Sequence, residues 1–157
     1  MRFLRISVVA ILASMAMAGC DEAYRYWASG PVGWALKREL RDRHSQRVAL
    51  SDVTRFSWDE VFLFSPYSPR SEVCAALAIP DAQCQSLIPE ESRDDGGMLL
   101  VFRQSGKIVH TELHYRYYGD FTPVPASQPI SRSKAVFRVA PEGQAASGGV
   151  WLKLVLE

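Results

Sequence analysis

Three residues in one short stretch have the types and spacing for metal chemistry. His110, Glu112 and His114 alternate, so in a strand all three project from the same face. Two imidazoles and a carboxylate are ligands that a divalent transition metal accepts. Strand neighbours two apart are separated by roughly 7 Å, which is wide for one shared ion unless a bulge intervenes. The opposite set, Val109, Thr111, Leu113 and Tyr115, reads as the core face. The trio is therefore expected on a solvated polar face, with a metal site as the alternative. Asp59 beside Trp58 is a second candidate. A carboxylate against an aromatic wall is raised in pKa by desolvation and can act as a general acid or base. An aspartate where a strand begins more often accepts local backbone N–H groups and fixes a turn, and that is the expectation here. The sequence holds no Gly-x-Ser-x-Gly elbow and no phosphate-binding loop, so no cofactor is expected and an enzyme is the second choice rather than the first.

The chain has three cysteines, and the first sits in a distinctive place. Residues 1–19 carry Arg2 and Arg5 and no acid, and an apolar stretch runs from Ile6 to Ala18. This is the layout of a secretory signal peptide, too short for a comfortable permanent span. It ends in Met17-Ala18-Gly19-Cys20, which resembles the lipobox of bacterial lipoproteins, with Met where Leu is usual. The resemblance implies cleavage before Cys20 and acylation of its thiol. Two or three acyl chains then hold the protein firmly, since each buried methylene contributes roughly 0.8 kcal/mol. Asp21 and Glu22 follow directly and resemble the acidic signal that retains enterobacterial-type lipoproteins in the inner membrane. The expected division is a signal peptide over 1–19, a lipidated tether over 20–31 and a periplasmic domain over 32–157. Tyr24, Tyr26 and Trp27 fall where aromatic rings favour the headgroup region.

With Cys20 acylated, Cys74 and Cys84 remain as a pair, and an oxidising compartment favours a disulfide between them. Closing their loop contributes roughly 2–3 kcal/mol on the chain-entropy model. A spacing of nine residues between the cysteines, without a nearby histidine, is no zinc signature. Removing Arg2 and Arg5 from 18 basic residues leaves 16 against 17 acidic. A near-neutral exported chain is no candidate for binding nucleic acid.

The periodicity after the tether predicts one α+β domain. Val32, Ala35, Leu36 and Leu40 share a helical face over 32–44, with Lys37, Arg38, Arg41 and Arg43 mainly outside it. The basic side of that helix is placed to meet anionic lipid. Strands are expected over 47–56 and 60–64. Ser68 and Pro69 predict a helix start, the helix running towards Ile79, with a second turn after Asp81 that carries Cys84. Met98–Arg103 and Lys107–Tyr117 flank Gln104-Ser105-Gly106 as a hairpin. Two closing strands are expected, over 134–139 and 150–156. Short turns favour a mainly antiparallel sheet with one or two helices packed on one face.

Phe56-Ser-Trp-Asp59, the strand after it and Phe64-Ser-Pro-Tyr67 leading into a cysteine-bearing helix resemble a group of small uncharacterised bacterial lipoproteins, over residues 46–115. That resemblance implies address and fold, and carries no activity. A rigid loop over 119–125 is expected to present Phe121 beside Tyr117 and Tyr118 as a binding patch. The reading is thus a membrane-anchored periplasmic lipoprotein that binds an envelope protein as a non-enzymatic accessory factor. The alternatives are a periplasmic enzyme, metal-assisted or built on Asp59, and an inhibitor or immunity protein. The last would use the acidic loop of Glu90, Glu91, Asp94 and Asp95.

Overall fold

Two apolar runs set the architecture. Glu60–Phe64 and Gly97–Gln104 are apolar at nearly every position, and strands of that kind need cover on both faces. In this computed structural model, which describes residues 29–146 and 148–157, they form adjacent antiparallel strands with Val61 opposite Phe102 and Leu63 opposite Leu100. Calling them β2 and β3, and taking β1 as Arg47–Ala49, β4 as Lys107–Tyr115, β5 as Ile130–Ser131, β6 as Val136–Gln144 and β7 as Val150–Leu156, the strands make two sheets. One has the order β4-β3-β2-β5 and the other β1-β6-β7. The fold is a single α+β domain with antiparallel pairing.

Helices cover both faces of the four-stranded sheet rather than one. Val61, Leu63, Met98, Leu100 and Phe102 turn into the larger core, which they share with helix α1 (Pro31–Lys37) and the three-stranded sheet. Phe62, Leu99 and Val101 turn the other way, onto α3 (Arg70–Ala76) and α4 (Asp81–Leu87). Fully burying side chains of this size contributes about 1.5–3 kcal/mol each. The Cys74–Cys84 disulfide is formed and joins α3 to α4 within the smaller core.

Local departures from the expected elements have identifiable causes. The strand expected over 47–56 stops at Ala49, and Leu50–Val53 forms one helical turn, α2. Leu50 and Val53 are both buried, and their spacing of three suits a helical turn better than a pleat. Helix α3 starts one residue later than Pro69 would suggest. No side chain of its own caps it; Glu91 reaches across and accepts the Arg70 N–H at 2.8 Å. That hydrogen bond holds the Glu91 carboxyl below its ordinary range. The hairpin turn is tighter than expected. Ser105 (φ 51°) and Gly106 (φ 76°) both take the left-handed region, as a two-residue type I′ turn requires.

Side chains finish the edges of both sheets. Gln128 lies beside β2, accepting the Leu63 N–H at 2.6 Å and donating to the Leu63 carbonyl at 2.8 Å, as a strand residue would. On β4 the N–H groups of Leu113 and Tyr115 go to Glu90 and Ser29. On β7 Arg41 donates to the Val150 carbonyl, and the backbone of Asp120 takes the next two positions. Edges occupied in this way resist further strand pairing. Among the described residues no helix is long and apolar enough to cross a membrane. The expected signal, Cys20, Asp21, Glu22, Tyr24, Tyr26 and Trp27 lie outside the described residues, whereas 29–31, expected as the end of the tether, belong to the fold: Ser29 is buried and Pro31 opens α1.

Candidate functional site

The polar trio of β4 faces inward, against expectation. Register pairs His110 with Phe102, Glu112 with Leu100 and His114 with Met98, so all three share the face that turns into the larger core. Glu112 is 2 % exposed and His114 fully buried, whereas Val109 on the supposed core face is 44 % exposed. Alternation alone cannot tell the two faces of a strand apart when its neighbour is apolar on both. The inward choice is made possible by hydrogen bonds that only the folded chain supplies.

Glu112 holds the start of α1. Its carboxylate accepts the N–H of Val32 at 3.0 Å and of Gly33 at 2.6 Å, two of the donors that a helix start leaves unsatisfied. His110 donates to it at 3.0 Å. The approach is close enough to demand glycines: a Cβ on Gly30 would stand 2.5 Å from the Glu112 carboxyl carbon, and one on Gly33 would stand 3.1 Å from His114 Nδ1. His114 donates its Nε2–H to the Gly119 carbonyl at 2.7 Å, and its Nδ1 finds no partner among the described residues. Burial pushes the His114 pKa down, outweighing the Gly119 carbonyl and the charges of Glu112 and Asp120.

A second buried carboxylate, Asp120, lies just past the end of β4, and the pattern reading did not single it out. It is fully buried and ringed by donors. Arg116 meets both of its oxygens at 3.0 Å, and Lys153 stands 2.9 Å away. Trp151 donates its ring N–H at 2.8 Å, and Thr122 donates both its backbone N–H and its hydroxyl. Desolvation works against the charge, but these donors prevail and hold the carboxyl well below its ordinary range. The signal available in sequence was faint: an acid with Arg116 four residues before it, and Lys153 far along the chain.

The aromatic patch expected over 117–125 is corrected as well. Phe121 is 1 % and Tyr118 3 % exposed. Phe121 packs edge-on against Phe137 at 4.9 Å and meets the His114 ring at 5.6 Å, so the loop is pulled into the core by the apolar ring itself. Gly119 permits the turn, with φ 141° and no room for a Cβ beside Leu40 and Leu154. Tyr117 remains partly exposed, under the Arg41 guanidinium at 4.1 Å.

Asp59 does what a turn-fixing aspartate does: its carboxylate accepts the Ser105 N–H at 2.6 Å, while Trp58 beside it is buried and donates to Thr54. The acidic loop is engaged internally too. Glu90 and Glu91 accept the N–H groups of Leu113 and Arg70, and Asp94 accepts those of Gly96 and Gly97. Among the described residues no group of three His, Cys, Asp or Glu side chains is placed to hold a metal ion. The carboxylates that looked chemically available are, in the fold, acceptors for backbone and side-chain donors.

Two surface grooves are lined by described residues. One, of about 400 Å³, runs beside Leu40, His44, Val139 and Leu152. The other, of about 380 Å³, lies between α1 and the segment 52–56 and carries Arg38 and Arg55. Comparison of the chain with protein-family models, curated proteins and solved structures finds nothing that matches it.

Proposed function

We propose that the chain is a lipid-anchored domain on the periplasmic side of a bacterial membrane, acting as a non-enzymatic accessory factor that binds an envelope partner. The observation that carries this reading is the run from Arg2 through an apolar stretch to Ala18-Gly19-Cys20, which has the charge and length of an export signal and a thiol placed for acylation. The Cys74–Cys84 disulfide supports an oxidising compartment. Asp21 and Glu22 favour retention in the inner membrane. The binding role is supported by the use of Glu112, Asp120 and Asp59 as hydrogen-bond acceptors within the fold, and by the exposed arginines and apolar side chains at the groove between α1 and the segment 52–56.

Replacing Cys20 by serine tests the anchor directly. Incorporation of labelled fatty acid is expected to vanish, and a precursor that keeps residues 1–19 is expected to accumulate. Labelling at the wild-type level in that variant would sink the proposal.

A further inference from the structure

Helix α1 opens at Pro31, ten residues after Asp21 counted along the chain, and one side of it walls the groove of about 380 Å³. The opposite wall is α2 and the segment after it. Pro31, Trp34 and Phe56 give the groove its accessible apolar lining, with Val32 and Val53 buried behind them, and Arg38 and Arg55 reach it from the two walls. Both arginines are exposed. The neighbouring cations on the helical segment are already engaged: Lys37 with Asp42, Arg43 with Glu39, and Arg41 with the carbonyls of Tyr117 and Val150. Arg38 and Arg55 have no carboxylate partner among the described residues. Asp52, at the same groove, is the one acid among the described residues of its lining, and it accepts a hydrogen bond from Ser51. The turn Arg132–Lys134 follows on beside α2, where the Leu50 N–H bonds the Ala135 carbonyl, and brings two more exposed cations.

We propose that this groove binds the headgroup phosphate of an anionic phospholipid in the membrane that holds the chain; this rests on the lipid-anchor reading. Planar guanidinium groups match phosphate oxygens in geometry and charge. The apolar lining suits the glycerol and first methylenes below the phosphate. Eight residues, 21–28, lie between Cys20 and the buried Ser29 and span at most about 30 Å, so an anchored domain stays at the membrane surface, where the local anion concentration is high. The mature chain is close to neutral, so the positive character of this groove is local. Asp52 offsets one of the two guanidinium charges, and Asp52→Asn is therefore expected to strengthen binding.

The test uses the mature protein reconstituted into vesicles of phosphatidylcholine alone or of phosphatidylcholine with phosphatidylglycerol. Arginine-selective modification is read by mass spectrometry. On the anionic vesicles, modification of Arg38 and Arg55 is expected to slow roughly tenfold, while Arg93, 79 % exposed on the acidic loop, reacts as before. Arg38→Gln should weaken the protection of Arg55, and Arg55→Gln that of Arg38, with the disulfide intact as a check on folding. Equal modification on both kinds of vesicle would overturn the proposal. So would protection that persists in detergent, which would assign the groove to residues 20–28 of the chain or to a second copy. Acylation of Cys20 is read in the same spectra. Acylated protein with unprotected arginines sinks the groove and spares the anchor; unacylated protein with lipid-dependent protection does the reverse.

Discussion

Glu112 and Asp120 are both removed from solvent near the end of β4, yet the fold stabilises them by different means. Glu112 is surrounded by weak partners: two backbone N–H groups of α1 and one histidine. Asp120 is held by two full cations, an indole N–H and the Thr122 pair. If α1 swings away from the sheet, its N–H groups find water and Glu112 follows them. If Asp120 is lost, Arg116 and Lys153, 18 % and 21 % exposed, lose the buried anion between them, and among the described residues Lys153 keeps only the exposed Glu142, at 3.5 Å, as an anion. A buried carboxylate on a helix start is therefore a latch for one element. A buried carboxylate among cations is a node joining β7 to the segment that leads from β4 to β5.

The contrast predicts unequal costs. Asp120→Ala removes one partner of a buried ionic cluster and is expected to lower stability by about 3–5 kcal/mol in urea denaturation. A loss below about 0.5 kcal/mol, the scale of an ordinary surface change, would show that Arg116 and Lys153 reach solvent freely and that no node exists.

At the latch the expected effect is smaller and specific to one contact. Gly30→Ala places a methyl group against the Glu112 carboxyl and is expected to cost about 1–3 kcal/mol. In a Glu112→Ala background that collision is gone, so the two changes should show a coupling of about 1 kcal/mol in a double-mutant cycle. Simple additivity would mean that Gly30 is needed for some reason other than this approach.

The smallest effect separates the two regions by pH. His114 is kept neutral by burial, whereas the unfolded chain takes up its proton below about pH 6.5. The unfolded state then binds more protons, so stability falls as pH drops through that value, by at most about 1.4 kcal/mol per pH unit. Asp120 has a depressed pKa, so its contribution is present above about pH 4 and is lost only as pH falls below that range. Melting curves of wild type and His114→Gln, compared between pH 7 and pH 5, should differ in slope, the variant being the flatter. Parallel slopes would show that His114 does not titrate differently in the two states.

The strand Glu60–Phe64 and the hairpin around Gly106 were legible, because apolar runs and a Ser-Gly turn act over a few residues. The α4 segment carrying Cys84 was legible from Asp81. The disulfide followed from counting cysteines once Cys20 was set aside. The candidate site was less accessible. Which face of β4 turns inward depended on β3, whose run Met98–Phe102 is apolar on both sides and so accepts either alternation. Phe121 looked like a displayed ring because its loop is rich in turn residues, and its partner Phe137 lies in another strand. That Arg38 and Arg55 lack a carboxylate partner among the described residues depends on how the acids near their neighbours are placed in space.

The sequence by itself determined the elements whose physics is local: periodic apolar faces, positive-φ turns and an oxidisable cysteine pair. The tertiary structure decided what the charged side chains are for. A carboxylate's role depends on which donors surround it, and donors such as the N–H of Gly33 or the ammonium of Lys153 come from segments remote in sequence. The cost of burying a charge is offset only where several such groups converge. That convergence is a property of the packed chain, which is why Glu112 and Asp120 became internal supports while two arginines were left open at the groove.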